Sequence, residues 1–335
     1  MSKANKSNKA IKYRLYPNDE QKVMFAKTFG CCRFVYNQLL ALQKQRYKDG
    51  ESHLSKLKSN EFATRTLKKD YDFLKEIDKF AVSNAVFHLA DAYDRFFKKQ
   101  NHFPKFKSKR KSKKSYTTNF TNNNILIGKN VIKLPKVGMV KAVIHKLPKD
   151  DWKSVTVSQD SVGNYFASVL FEYEQEDIPS VSKSSTNAIG LDYKSDGLYM
   201  DSNGNKAGVH KYYRESHKKL AKQQRRLSRK AGSKKNETKS SNYFKQMRKV
   251  NRIYRKIANQ RLDSLHKKST EIANQYDIVC VEDLDMKAIG NKGFGNGKAT
   301  FDNGYGMFLN MLDYKLKERG KYFVKVDKWY PSSQI

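Results

Sequence analysis

Apolar and polar residues alternate at the start of the chain. In KAIKYRLY, residues Ile11, Tyr13 and Leu15 share one face, and Pro17 and Asn18 follow, which predicts a strand running into a turn. From Val23 the period changes. Val23, Met24, Phe29, Phe34, Val35, Leu39, Leu40 and Leu42 recur at helical spacing, with a break expected over Thr28 to Arg33. Further helical patterns run from about Leu54 to Lys69 and from Val82 to Phe97, where Val82, Val86, Leu89, Ala90, Tyr93 and Phe97 form an apolar stripe. A small helical bundle is therefore expected after the first strand. Over 116–175 the alternation returns in ILIG, VIKL, VKAVIH, SVTVSQ and YFASVLFEYE, with Asn, Gly and Pro between them. That pattern predicts a small β-barrel closed by the amino-terminal strand.

PSVSKSSTN (179–187) reads as a linker and a domain boundary. Beyond it, Ala188 to Leu191 is a buried-looking strand ending at Asp192, and LYM followed by DSNG turns back as a hairpin. Two long helical patterns follow over 211–268 around the turn SRKAGSKKNETKSS. Tyr213, Leu220 and Leu227 mark the inward stripe of the first, and Val250, Ile253, Ile257 and Leu265 that of the second. Then come Ile278, Val279, Cys280 and Val281, an uninterrupted run that suits a strand covered on both faces. Glu282 stands where it emerges. A glycine-rich loop (IGNKGFGNGKA), a helix near Tyr305 to Arg319 and a last strand, YFVKV, complete the order.

The 335 residues carry 68 Lys and Arg against 33 Asp and Glu, a net charge of +35 that predicts a polyanionic partner, with nucleic acid the first candidate. Two stretches concentrate it. KKQNHFPKFKSKRKSKKS (98–115) holds nine Lys and Arg and no acid, with Phe103 and Phe106 interleaved; it reads as a phosphate-contacting loop or a solvated linker. Between 211 and 256 stand eighteen Lys and Arg against Glu215 and Glu237 alone. No apolar stretch approaches the roughly 18 residues of a spanning helix, so no membrane partner is expected. The polar start lacks a signal-peptide core, the three cysteines form no C-x-x-C pair, and the seven histidines lack metal-ligand spacing. A reducing compartment is expected, the bacterial cytoplasm at the nucleoid.

Asp192 and Glu282 each end an apolar strand, ninety residues apart, in an order that fits a ribonuclease H type sheet. Acids on neighbouring strands of such a sheet converge on divalent cations that activate water for phosphodiester cleavage. Carboxylates suit Mg²⁺, which prefers hard oxygen. A helix-capping or solvated role for Glu282 is the competing reading. Two acids are usually too few, so a third is sought.

RLYPN, FGCCRFVYN, DKFAVSNAVFHLADAYDRFFK, FPKFKSK, NFTNNN, LPKVG, the GLD segment, VEDL and the closing YPSSQ together resemble the TnpB family. These are RNA-guided nucleases of bacterial insertion sequences, related to type V CRISPR effectors. The resemblance implies an α+β multidomain fold: a wedge β-barrel split into 1–16 and 113–180, an inserted helical recognition domain at 17–112, and an RNase H-like RuvC domain at 187–335. It implies that Asp192 and Glu282 are the first two catalytic acids. It implies readers of a short flanking DNA motif at Lys79, Ser83, Thr121 and Asn122. Members often carry Gln where Ser83 stands, and turn chemistry alone explains an Asn-rich stretch equally well. RNA and heteroduplex contacts are spread over Lys105, Lys107, Lys109, Arg110, Lys222, Arg225, Arg226 and Arg229, with Tyr116 or Phe120 either stacking on a base or buried in the barrel.

In the family, the segment matching YPSSQ continues into a zinc ribbon and a final helix bearing the third acid. This sequence ends at Ile335, which leaves the RuvC domain truncated at its C-terminus, without zinc ligands or third carboxylate. The expectation that follows is a nuclease-dead TnpB-like repressor, not an enzyme. It would bind target double-stranded DNA through a guide RNA, one protein per RNA, and block transcription by occupancy. No cofactor is required on that reading, although Mg²⁺ could visit the two remaining acids. The alternatives are an RNA-guided endonuclease whose site is completed by Asp285, Asp302 or a partner chain, and a decayed transposon relic that binds RNA.

Overall fold

The structure, a computed structural model, describes residues 6–148, 152–174, 180–208, 210–232, 239–290, 300 and 302–327. It divides into two compact units, Met1–Gln175 and Glu176–Ile335. The tip of the basic hairpin (233–238), most of the glycine-rich loop (291–299) and the closing YPSSQ lie outside the described residues.

In the first unit, β1 (Lys6–Tyr16) buries Ile11, Tyr13 and Leu15, the three residues its alternation puts on one face. It pairs antiparallel with β7 (Tyr165–Glu174) on one side and, through Arg14 to Tyr16, with β5 (Gly138–Val143) on the other. The other strands are β2 (Lys114–Asn119), β3 (Leu126–Ile127), β4 (Val131–Leu134) and β6 (Trp152–Gln159). Their hydrogen-bonded order is β2-β6-β7-β1-β5-β4-β3, so β1 lies in the middle of one seven-stranded sheet instead of closing it. Hydrophobic alternation specifies a buried face; it does not name the neighbours on either edge.

Helix α1 (Asp19–Lys48) starts on a capping box in which Asn18 and Gln21 satisfy each other's backbone N–H groups. The break expected over Thr28 to Arg33 does not occur. A glycine inside a helix costs about 1 kcal/mol relative to alanine. Against that, the same turns bury Phe25, Phe29, Cys32 and Val35, and each large apolar side chain contributes roughly 1.5–3 kcal/mol. After α2 (Lys56–Glu61) comes a π-helical stretch (Phe62–Leu67) and α3 (Lys68–Asp70). Helix α4 (Lys79–Phe97) is capped by Asp78, which accepts from Ala81 N at 3.2 Å. Asn84 ties α4 to the sheet, donating to Thr117 O at 3.0 Å and to Asn119 Oδ1 at 3.1 Å.

The second unit holds a five-stranded sheet, β10-β9-β8-β11-β12. Strands β8 (Ala188–Tyr193), β11 (Ile278–Glu282) and β12 (Tyr322–Val326) run parallel, while β9 (Tyr199–Asp201) and β10 (Lys206–Ala207) extend antiparallel from β8. Parallel neighbours need long crossovers. The first contains α5 (Tyr212–Arg229) and α6 (Ser241–Gln275), and the second contains α7 (Met286–Ile289) and α8 (Tyr305–Lys317). Leu220, Val250, Ile257 and Leu265 are buried, whereas Tyr213, Leu227 and Ile253 of the expected stripe are only half-buried. In β11, Val279 and Val281 are buried but Ile278 and Cys280 are half-exposed, so the strand is not fully covered on both faces. Among the described residues no helix is long and apolar enough to cross a membrane.

Candidate active site and nucleic-acid interface

Strands β8 and β11 pair in register, with Val281 opposite Leu191, and the next residue on each strand is an acid. Leu191 and Val281 are buried; one residue on, the alternation turns Asp192 and Glu282 to the other face. Neighbouring strands lie about 4.8 Å apart. Two carboxylates ninety residues apart in sequence thus stand side by side at the carboxyl end of a parallel pair, where α/β sheets bind their ligands. The Asp192 side chain is 59% exposed and its Oδ2 lies 3.3 Å from Lys194 Nζ. An ion pair so exposed contributes about 0–1 kcal/mol, little enough for a cation or substrate to displace it.

Thr300, Asn303 and Tyr305 hold the strand end that carries Asp192. Tyr305 Oη donates to Leu191 O at 3.4 Å, and the Tyr193 and Thr300 hydroxyls share a bond of 3.0 Å. Asn303 Nδ2 donates to Lys194 O at 3.3 Å and to Ser195 O at 3.0 Å. The grip is itself anchored, because Asp302 Oδ1 accepts from Arg261 Nη2 at 2.8 Å and from Tyr213 N at 3.3 Å. Burial first, then the charges of Asp192 and Glu282, push the Tyr305 phenol above the usual tyrosine range, so it stays a neutral donor beside both acids. Sequence reading missed Asn303 and Tyr305. The only signal they carried was position, in DNGYG just ahead of an apolar helix.

Neither acid offered as a third ligand joins the pair. Asp302 is 3% exposed and committed to Arg261, and Asp285 accepts from Ala288 N at 3.2 Å at the start of α7. Among the described residues no three His, Cys, Asp or Glu side chains converge as a metal site. The pair still fits two ligand positions of a hard divalent cation, for both donors are carboxylate oxygens and Asp192 is open to solvent.

The expected flanking-motif readers occupy adjoining elements of the first unit. Lys79 is exposed in the first turn of α4 with its ammonium 5.1 Å from the Phe80 ring centroid, and Ser83 is half-buried one turn on. Thr121 and Asn122 are exposed in the turn after β2, where Thr121 N donates to Asn124 Oδ1 at 2.8 Å and Asn122 adopts φ 47°. The turn chemistry is therefore present. Asn84, next to Ser83, bonds Asn119 and so links the helix to that turn. Lys105, Lys109 and Arg110 are exposed on the basic loop, and Lys107 is half-buried. Lys222, Arg225, Arg226 and Arg229 are exposed on α5 of the second unit. Tyr116 does not offer its ring for stacking on a base: it is 3% exposed, with Phe25 and Phe29 ring centroids at 6.3 and 5.9 Å. Phe120 packs edge-on against Trp152 at 5.7 Å.

Comparison with known proteins matches three family descriptions: a helix-turn-helix domain over residues 7–52, a probable transposase over 170–291, and a Cas12f1-like TNB domain over 305–335. The first matched segment consists here of strand β1, the single helix α1 and the turn after it. A Streptomyces pristinaespiralis protein named as a putative RNA-guided DNA endonuclease is 32% identical over 334 residues, covering 98% of this chain and 79% of that protein. The Escherichia coli K12 protein named as putative RNA-guided DNA endonuclease InsQ is 29% identical over 346 residues, covering 97% and 82%. Among solved structures, the Cas12f1 chain of a cryo-EM Cas12f1–sgRNA–target DNA complex matches the fold with TM-score 0.54 at 12% identity, over 96% of this chain and 89% of that one. These relatives overturn the expectation of a nuclease-dead protein that is not an enzyme. That expectation rested on where the given sequence ends, and the chain spans 79% and 82% of the length of these two relatives. The chain belongs to the TnpB family of insertion-sequence OrfB proteins.

Proposed function

We propose that this protein is an RNA-guided DNA endonuclease, binding a guide RNA and the double-stranded DNA that the guide matches. The observation that carries the reading is the side-by-side placement of Asp192 and Glu282 at the carboxyl ends of β8 and β11. Asp192 and Glu282 would hold Mg²⁺, and the bound cation would supply activation of water and stabilisation of the leaving oxygen. Lys194 offsets the Asp192 charge while the site is empty of cation, and Tyr305 keeps a neutral hydroxyl donor on the floor of the pair. The segment 300–305 maintains the strand end in place.

On this reading, residues 1–16 and 113–180 form the wedge domain, 17–112 the recognition domain and 187–335 the RuvC domain. Lys79, Ser83, Thr121 and Asn122 read a short DNA motif, supported by the link between α4 and the turn after β2. The exposed cations of the 105–110 loop and of α5 contact RNA or heteroduplex phosphates, supported by a net charge of +35. The work is done on bacterial DNA, in the cytoplasm.

The test is to sequence the RNA that copurifies with the protein and incubate the complex with matched duplex DNA and Mg²⁺, reading binding and cutting from one tube. Wild type cuts; Asp192→Ala and Glu282→Ala bind and do not cut. Bound but intact DNA with the wild-type protein, or cutting that survives both substitutions, refutes the reading.

A further inference from the structure

Lys107 is an unusual lysine. Asn37 grips its backbone from both sides, donating from Nδ2 to Lys107 O at 2.9 Å and accepting from Lys107 N at Oδ1 at 2.8 Å. The side chain is half-buried, and its ammonium lies 3.7 Å from the centroid of the Tyr36 ring. Burial pulls its pKa below the usual lysine range, opposed by Cys32, and among the described residues no carboxylate pairs with it. A half-buried ammonium without a counter-ion costs stability, and such groups are ordinarily paired.

The surroundings make the cost larger. Lys107 lines a cleft between α1, α4 and β2 together with Arg33, Lys109, Lys113 and Lys114, and no acid lines it. His88, also in the wall, is kept neutral by burial and by the Lys107 charge. The hydroxyl of Tyr116, a further lining residue, is buried and has no hydrogen-bond partner among the described residues. Five cations and a buried hydroxyl, with no carboxylate among the lining residues, call for an anion that offers several acceptor oxygens, and burial together with the charge of nearby Asp78 keeps the Tyr116 hydroxyl protonated as a donor.

We propose that this cleft is a phosphate-binding site, with Lys107 as its central cation and Tyr116 as a donor, and that it receives one backbone phosphate of the bound nucleic-acid strand. The nucleic-acid source rests on the RNA-guided reading above; the phosphate chemistry does not.

The experiment compares wild type, Lys107→Met, Tyr116→Phe and, as control, Lys48→Met, an exposed lysine at the end of α1 that does not line the cleft. The full-length protein, freed of RNA at high salt, is melted alone and with inorganic phosphate, and then titrated with its copurifying RNA over a range of salt. Lys107→Met and Tyr116→Phe are expected to melt at or above the wild-type temperature without anion and to lose the rise that phosphate gives wild type. Lys107→Met is expected to bind RNA at least ten-fold more weakly, with a slope of log affinity against log salt shallower by about 0.7. Lys48→Met stays within three-fold of wild type. A Lys107→Met protein that melts lower than wild type and binds RNA like Lys48→Met overturns the proposal, since Lys107 would then only brace Tyr36. A phosphate-dependent rise with unchanged RNA affinity overturns the nucleic-acid assignment and gives the cleft to free phosphate. A wild type that binds no RNA defeats the RNA-guided reading instead, and the response to phosphate still tests the cleft.

Discussion

Asn303→Ala separates the placement of Asp192 from the binding of nucleic acid. Asn303 is 2% exposed and donates to two backbone carbonyls, Lys194 O at 3.3 Å and Ser195 O at 3.0 Å, directly after the strand end that carries Asp192. Each such bond is worth about 0.5–1.5 kcal/mol net, and the alanine variant also leaves two carbonyls without this partner. The sum is about 2 kcal/mol. If all of it appears as a population with Asp192 out of place, the cleavage rate falls about 30-fold, since 1.4 kcal/mol is tenfold. Guide and target affinity should not change, because Asn303 is buried and its amide faces the strand end. The assay is single-turnover cleavage of matched DNA at saturating complex, with binding measured in parallel without Mg²⁺ and a thermal melt to show that the variant is folded at the assay temperature. Asn303→Asp has the same shape but no side-chain donor, so it must fail at least as badly. A cleavage rate within two-fold of wild type for either variant refutes the reasoning.

Two further predictions concern stability. Asp302→Ala strands the Arg261 guanidinium, whose side chain is only 18% exposed, and should cost about 3 kcal/mol, the lower end for a broken buried pair; the double variant Asp302→Leu, Arg261→Met should recover most of it in chemical denaturation. Equal losses in single and double variants would show that the ion pair is not what anchors residues 300–305. Burial pushes the Cys32 thiol up to about 12, well above an unfolded value of about 8.5. The folded protein therefore retains a proton that the unfolded chain loses. Stability from this thiol is whole below about pH 8.5 and declines as pH rises toward the folded value, by up to about 1.4 kcal/mol per pH unit. Cys32→Ala should lack that part of the alkaline slope between pH 9 and 10, and an unchanged slope would refute the assignment.

What could be read from the chain was whatever repeats within a few residues. Ile11, Tyr13 and Leu15 marked β1, the stripe from Val82 to Phe97 marked α4, and ILIG through YFASVLFEYE marked the later strands of the first sheet. Asp192 and Glu282 were conspicuous because each interrupts an apolar run. Local signals misled in two places: Gly30 did not break α1, and the uninterrupted apolar run of β11 is covered on one face and half-exposed on the other. The argument from an absent third acid was of another kind. It read a loss of activity from where the given sequence ends, and the endonuclease names of the relatives correct the conclusion that the protein is not an enzyme.

Three features had no trace in the linear pattern. They are the place of β1 between β7 and β5, the pairing of Val281 with Leu191 that sets two acids side by side, and the hold of Asn303 on the carbonyls after Asp192. The physical reason is common to all three. Periodicity is a property of a short segment and is decided by which side chains leave water, whereas strand register and hydrogen bonds across about a hundred residues are decided by how whole elements dock. The sequence by itself determined the elements, the charge and the identity of the candidate acids. Only the tertiary structure decided which of those acids meet, and set the Lys107 ammonium half-buried against the Tyr36 ring.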